Sequence, residues 1–112
     1  MYSDDAGQSR FEDMDMTLTP RDFSPPAPPV DVSDSVDVSA FMMLRMPRGW
    51  HDPAHPVPAR QFMVVISGSV EVTAGDETRL IVPGDVVLAE DTTPPGHRTT
   101  VIEEAFIAVT RI

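Results

Sequence analysis

The sequence predicts an all-β domain, because short strand-like runs separated by turn residues fill residues 36–112 and no stretch has convincing helical periodicity. In "VEVTA", residues 70–74, apolar residues alternate with Glu71 and Thr73, which is typical of a strand with one solvated face. "FMVVI", residues 62–66, is apolar on both faces and predicts a central strand. A chain of 112 residues is expected to form one domain with a single core.

Seven runs of this kind follow one another along the chain. They are "SAFMMLRM", "RQFMVVI", "VEVTA", "ETRLIV", "VVLAE", "RTTVI" and "AFIAVTRI". The breaks between them are Pro47, Ser67-Gly68-Ser69, Gly75-Asp76, Pro83-Gly84-Asp85, the loop 92–96 and Glu103-Glu104. Seven short strands in this length predict a small sandwich or barrel. The methionines Met42, Met43, Met46 and Met63 are expected to fill its core.

Residues 1–35 have a different composition and predict an acidic, proline-rich N-terminal arm. Five prolines between Pro20 and Pro29 forbid a helix and favour an extended path without ladder pairing, so any strand should begin near Val30. Two interpretations stay open. The arm is either a partly disordered, solvated tail, or an extended segment laid along this domain or a partner's, with Phe11 and Phe23 as anchors.

Composition excludes several classes of function. The net charge is −10 and lysine is absent, so binding to a phosphate backbone is not expected. The chain has no cysteine, which excludes disulfides, thiolate metal sites and thiol nucleophiles. It has no apolar run long enough to span a membrane, and the acidic N-terminus does not match a signal peptide. We therefore expect a cytoplasmic protein.

The stretches "HPVPARQF" and "PGDVVLAEDTTPPGH" resemble the two sequence motifs of the cupins, which are small jelly-roll β-barrels. With Gly68 setting the register, His55 matches the first motif histidine, Val57 the second and Gln61 the acid; His97 matches the closing histidine of the second motif. The resemblance is to small single-domain bacterial cupins, mostly of unassigned function. It implies a jelly-roll barrel over residues 36–112 and, since small cupins commonly dimerise, a homodimer.

The resemblance also implies a metal site formed by His55, Gln61 and His97. Two imidazoles and an amide oxygen suit iron, zinc, nickel or manganese and leave open positions for substrate. The neutral Gln61 would favour anionic ligands such as carboxylates or enolates. Two features argue against a metal site. Val57 occupies the position of the second motif histidine, so one imidazole is missing, and an amide binds metal more weakly than a carboxylate. His51 either substitutes for the missing imidazole or, as we favour, lies in a surface loop.

Neighbouring polar residues have alternative roles. Asp91 either orients His97 through its second ring nitrogen or caps the strand end in an Asx-type turn, and we expect the turn. Strand alternation directs Arg60 and Arg98 outward, as partners for acids. Trp50 either lines the barrel mouth or plugs the core.

Two functions follow. The first is a small metalloenzyme of isomerase, cyclase or dioxygenase type, acting on an organic small molecule held in the barrel. No separate general base or other catalytic residue is identified for it. The second is a non-catalytic cupin with a degenerate metal site that binds a small molecule or acts as an accessory subunit.

Overall fold

The protein, described by a computed structural model over residues 1–112, is all-β, with nine strands and no helix. The strands are β1 (Tyr2–Ser3), β2 (Ser9–Arg10), β3 (Leu18–Arg21), β4 (Val30–Ser33), β5 (Ala40–Met46), β6 (Gln61–Ala74), β7 (Glu77–Ile81), β8 (Val86–Ala89) and β9 (Arg98–Arg111). No helix is present that is long and apolar enough to cross a membrane.

The long strands β6 and β9, of 14 residues each, pair antiparallel and form the spine of a five-stranded sheet. The first half of β6 pairs with β8 and with the end of β9, and β5 adds to that end of β9. The second half of β6 pairs with β7 and with the start of β9. The spine therefore links two groups of strands.

The two halves of the spine meet at an irregularity between Val65 and Val70, where the register against β9 shifts three times. Gly68 lies in this stretch with a φ of +79°, and a Cβ there would come 2.0 Å from the carbonyl oxygen of Glu104. Only glycine permits this backbone conformation at such a close approach. The prediction that strands end at Ser67-Gly68-Ser69 and at Glu103-Glu104 was wrong, because β6 and β9 continue through both as bulged strands.

Both halves of the spine supply one apolar core. Its buried members are Val65, Val70, Ile81, Val101, Ala105, Ile107 and Val109. Partly buried Met42, Met46 and Met63 pack against it, as expected for core filler, whereas Met43 is 51% exposed. Since residues before and after the bulge contact the same cluster, the two groups of strands face one another across it.

The N-terminal residues divide into a packed and an exposed part. In the β1–β2 hairpin Met1 and Ser9 are buried, and Phe11 packs against a second small cluster that contains Met1. Residues 12–31 are all exposed, including Phe23. A strand does begin at Val30, but it pairs with β3 through Pro20 and Arg21, so the prediction of no ladder pairing over residues 20–29 was wrong at its start.

Gly68→Ala should lower the free energy of unfolding by about 3 kcal/mol, because the methyl group meets the backbone of β9 at an unfavourable φ. Gly84→Ala is the matched control: its φ is +93°, but no atom lies within 4 Å of a Cβ there. The free energy of unfolding of Gly84→Ala should fall by only about 1 kcal/mol. Urea denaturation measures both, and equal losses would show that the contact at the bulge contributes nothing.

Candidate functional site

A cavity of about 470 Å³ lies against the core, within the range of small-molecule sites. Its lining is mostly apolar and includes Met46, Met63, Val70 and Ile107. His55, Gln61 and His97, the three residues expected to bind a metal, also line it. Residues from three separate parts of the chain thus reach one apolar cavity.

His55 and His97 are brought together by their backbones. They form an antiparallel pair in which each amide nitrogen donates to the other's carbonyl oxygen at 3.0 Å. Gly96 makes the approach possible, since its φ is +79° and a Cβ there would lie 2.0 Å from the carbonyl of His55. The two imidazole ring centroids are 5.0 Å apart, with a 50° angle between the ring planes.

His97 is held by a buried carboxylate. Its Nδ1 lies 2.8 Å from Oδ2 of Asp91, and Ser9 Oγ donates to the same oxygen at 2.7 Å. The expectation of an Asx-type turn at Asp91 was wrong, because its side chain contacts His97 and Ser9 instead. With its proton on Nδ1, the imidazole keeps an acceptor lone pair on Nε2.

The ionised form of Asp91 is favoured although its side chain is fully buried. Burial is the largest single influence and raises the pKa of the carboxyl, but the hydrogen bonds from His97 and Ser9, with the charge of His97, together outweigh it. The pKa of Asp91 therefore lies below its usual value. The ionised form is the one that accepts hydrogen bonds from both neighbours.

His55 has a similar carboxylate neighbour, Asp52, which also lines the cavity. Its Nδ1 lies 2.9 Å from Oδ2 of Asp52 and 3.3 Å from the carbonyl oxygen of Pro53. Oδ1 of Asp52 accepts the amide of Thr99 at 2.8 Å, but Oδ2 is buried and has no partner with hydrogen-bond geometry. Sequence reasoning missed Asp52; its place three residues before His55 was the available signal.

The remaining motif positions lie on the strand and loop beside the histidines. Gln61 is buried, and its Nε2 is 3.6 Å from the sulfur of Met63, a weak contact. Val57 is 4% exposed and lines the cavity. Trp50 also lines the cavity while 39% exposed.

Two predictions on the surrounding polar residues are confirmed. His51 is an exposed loop residue whose Nδ1 lies 3.1 Å from the carbonyl oxygen of Gly49, and it does not line the cavity. Arg60 points outward and forms an ion pair with Glu90 at 2.7 Å. No group of three or more His, Cys, Asp or Glu side chains is arranged to hold a metal ion. A metal site here would therefore require the amide of Gln61.

Comparisons with known proteins bear on the fold alone. No family model matches the chain, and no curated protein matches it. Among solved structures, it is similar to the conserved SPY1581 protein of unknown function from Streptococcus pyogenes. The TM-score is 0.50 at 17% sequence identity, over 70% of this chain and 68% of that one. The likeness supports a shared β-sheet architecture.

Gly96→Ala should separate His55 from His97, because the methyl group would overlap the backbone of His55. Amide hydrogen exchange at both histidines should become faster by about tenfold or more as their mutual hydrogen bonds are lost. Gly49→Ala has a similar φ, +82°, with no atom within 4 Å of a Cβ, and should leave that exchange unchanged. Unaltered protection in Gly96→Ala would contradict the role given to this glycine.

Proposed function

We propose that the chain is a cupin-type protein in which His55, Gln61 and His97 bind a divalent metal beside a cavity for a small organic molecule. The motif spacing supports the assignment of the three residues, and their shared cavity supports a common ligand. The jelly-roll arrangement is part of this proposal. Its support is the bulged β6–β9 spine, with strands before and after the bulge facing one core.

The observation that carries the proposal is an oxygen partner at Nδ1 of each imidazole. Asp91 contacts Nδ1 of His97 at 2.8 Å. The carbonyl oxygen of Pro53 lies 3.3 Å from Nδ1 of His55, and Asp52 is 2.9 Å away but outside hydrogen-bond geometry. Histidines that bind metals usually have this second contact, which orients the ring and keeps Nε2 available. The ring centroids are 5.0 Å apart, which is close enough for both imidazoles to contact one ligand.

The donor set of two imidazoles and one amide oxygen fits iron, zinc, nickel or manganese, with positions left open for substrate. A bound divalent metal would supply Lewis-acid polarisation of a substrate oxygen. The apolar walls hold the body of the substrate and exclude water. Neutral Gln61, where the motif has an acid, leaves more positive charge at the site and favours an anionic carboxylate or enolate. Isomerisation, cyclisation and oxygenation are the reaction types proposed.

The second candidate is a non-catalytic protein that binds a small molecule without metal, or acts as an accessory subunit. Val57 favours it, since a buried apolar side chain lines the cavity at the position of the second motif histidine. The same two histidines would then serve as hydrogen-bonding groups for the polar head of the ligand.

Protein purified without added metal should contain about one equivalent of iron, zinc, nickel or manganese by elemental analysis. His97→Ala should lower metal affinity by more than about tenfold in isothermal titration, because three ligands cannot spare one. His51→Ala is the matched control and should bind as the parent does.

Val57→His extends the same experiment by restoring the motif's histidine pair. Provided the variant folds by circular dichroism, it should bind divalent metal more tightly than the parent. Full metal occupancy in His97→Ala would contradict the ligand assignment. A metal-free parent that gains no site in Val57→His would favour the second candidate.

We also propose that the protein forms a homodimer through the outer face of β5, β9, β6 and β8. Cross-strand pairing places a row of apolar side chains on this face: Phe41, Met43, Phe62, Val64, Val86, Phe106 and Ala108. Of these, Phe41 is 67% exposed and Val86 52%. In a chain of net charge −10, Arg45 and Glu104 on this face form an ion pair at 3.5 Å. We propose a second copy of the chain as the occupant, since the same apolar patch on both copies can form a self-complementary contact.

Phe41→Arg should convert the dimer into a monomer, because it introduces an unpaired charge into an apolar contact. Light scattering coupled to size exclusion measures the mass. Phe23→Arg, in the exposed loop between β3 and β4, is the control and should leave the mass unchanged. Dissociation by Phe23→Arg alone would assign dimerisation to the arm, and a monomeric parent would contradict the dimer.

A further inference from the structure

The N-terminal segment, defined as residues 1–11, forms one wall of the candidate site. Met1 and Phe11 line the cavity. The backbone nitrogen of Met1 donates to the carbonyl oxygen of Leu88 at 2.8 Å, and its carbonyl accepts the amide of Glu90 at 2.8 Å. Backbone hydrogen bonds therefore connect this segment to β8 and to Glu90, the residue before Asp91.

Ser9 is the residue of this segment that contacts a polar side chain of the candidate site. It is fully buried, and its Oγ lies 2.7 Å from Oδ2 of Asp91. The same oxygen contacts Nδ1 of His97 at 2.8 Å, while Oδ1 of Asp91 is buried without a partner. The side-chain hydrogen bonds of this carboxylate thus come from Ser9 and His97 alone.

The position of Ser9 is set by contacts on both sides of the hairpin. Arg10, the next residue, forms ion pairs with Asp4 at 3.0 Å and Asp76 at 3.1 Å. A Cβ at Gly75 would come 3.0 Å from the carbonyl oxygen of Ser9, so the turn between β6 and β7 packs directly against it. A hydroxyl in a fully buried place is unfavourable unless it is paired, and here Asp91 is its partner.

We propose that Ser9 is a positioning residue that holds Asp91 in the orientation that keeps the proton of His97 on Nδ1 and leaves Nε2 unprotonated. The hydroxyl fixes Oδ2 between two donors, so the carboxylate cannot turn its unpartnered Oδ1 toward the imidazole without losing a hydrogen bond. The use of Nε2 as a metal ligand rests on the proposed function. The effect of Ser9 on the tautomer of the His97 ring is independent of the proposed function.

The test is nitrogen NMR of the His97 ring in the full-length, metal-free, ¹⁵N-labelled chain, at a fixed pH at which the imidazole is neutral. The parent should show a protonated Nδ1 and an unprotonated Nε2. Ser9→Ala should move both shifts toward the values of mixed tautomers, since Asp91 is no longer held. Ser9→Thr keeps the hydroxyl and should restore the parent pattern in the folded protein.

Ser3→Ala is the matched control, because Ser3 pairs directly with Ser9 in the hairpin and its buried Oγ has no hydrogen-bond partner. It removes a hydroxyl from the same element and should leave the His97 shifts unchanged. The proposal is overturned when Ser9→Ala also leaves them unchanged, or when Ser3→Ala alters them as strongly.

Zinc titration of the same variants separates this proposal from the proposed function. Where the parent binds zinc, Ser9→Ala should bind about tenfold more weakly and Ser3→Ala equally well. A parent that binds no divalent metal, together with a shifted tautomer in Ser9→Ala, would support the positioning role and overturn the metal site. Unchanged zinc affinity and unchanged shifts in Ser9→Ala would overturn the positioning role alone.

Discussion

The antiparallel pairing of β6 with β9 is the constraint on which the rest of the structure depends. Its register sets Val65 opposite Ile107 before the bulge and Val70 opposite Val101 after it, so one pair of strands supplies both sides of the core. The same register begins β9 at Arg98, immediately after the residue that pairs with His55. Because a slip of one residue would reverse every side chain on both strands, the core and the site are specified together.

The site combines an apolar wall with a small number of buried polar groups that have partners. Asp91 is fully buried, yet it remains ionised because His97 and Ser9 both contact one of its oxygens. Such a group contributes favourably only while its donors are present, since an unpaired buried charge is strongly destabilising. The orientation of His97 and the packing of the N-terminal hairpin are therefore energetically linked, although Ser9 and Asp91 are separated by 82 positions in sequence.

Local sequence patterns predicted the strands of residues 36–112 well but not their continuity, and they did not predict β1, β2 or β3. Alternation in residues 70–74 and the apolar run 62–66 identified two parts of β6, whereas Gly68 suggested a turn between them. A glycine with positive φ is compatible with either a turn or a bulge, and only the partner strand decides which forms. Motif spacing likewise indicated that His55, Gln61 and His97 belong together. It could not identify Ser9, whose role comes from a long-range contact, or the outcome at Asp91, where tertiary hydrogen bonds replaced the local turn.

The lining of the cavity limits the ligands that the proposed function could use. Apolar side chains from both halves of the spine line most of it, and the two imidazoles lie side by side on a hydrogen-bonded backbone pair. For the proposed function, a ligand suited to such a lining would have an apolar body and few polar atoms, placed near the imidazoles and the side chains of Gln61 and Asp52. A polar atom placed against the apolar part of the wall would lose its water without gaining a partner. Selectivity would therefore come from exclusion by the walls as much as from attraction by the histidines.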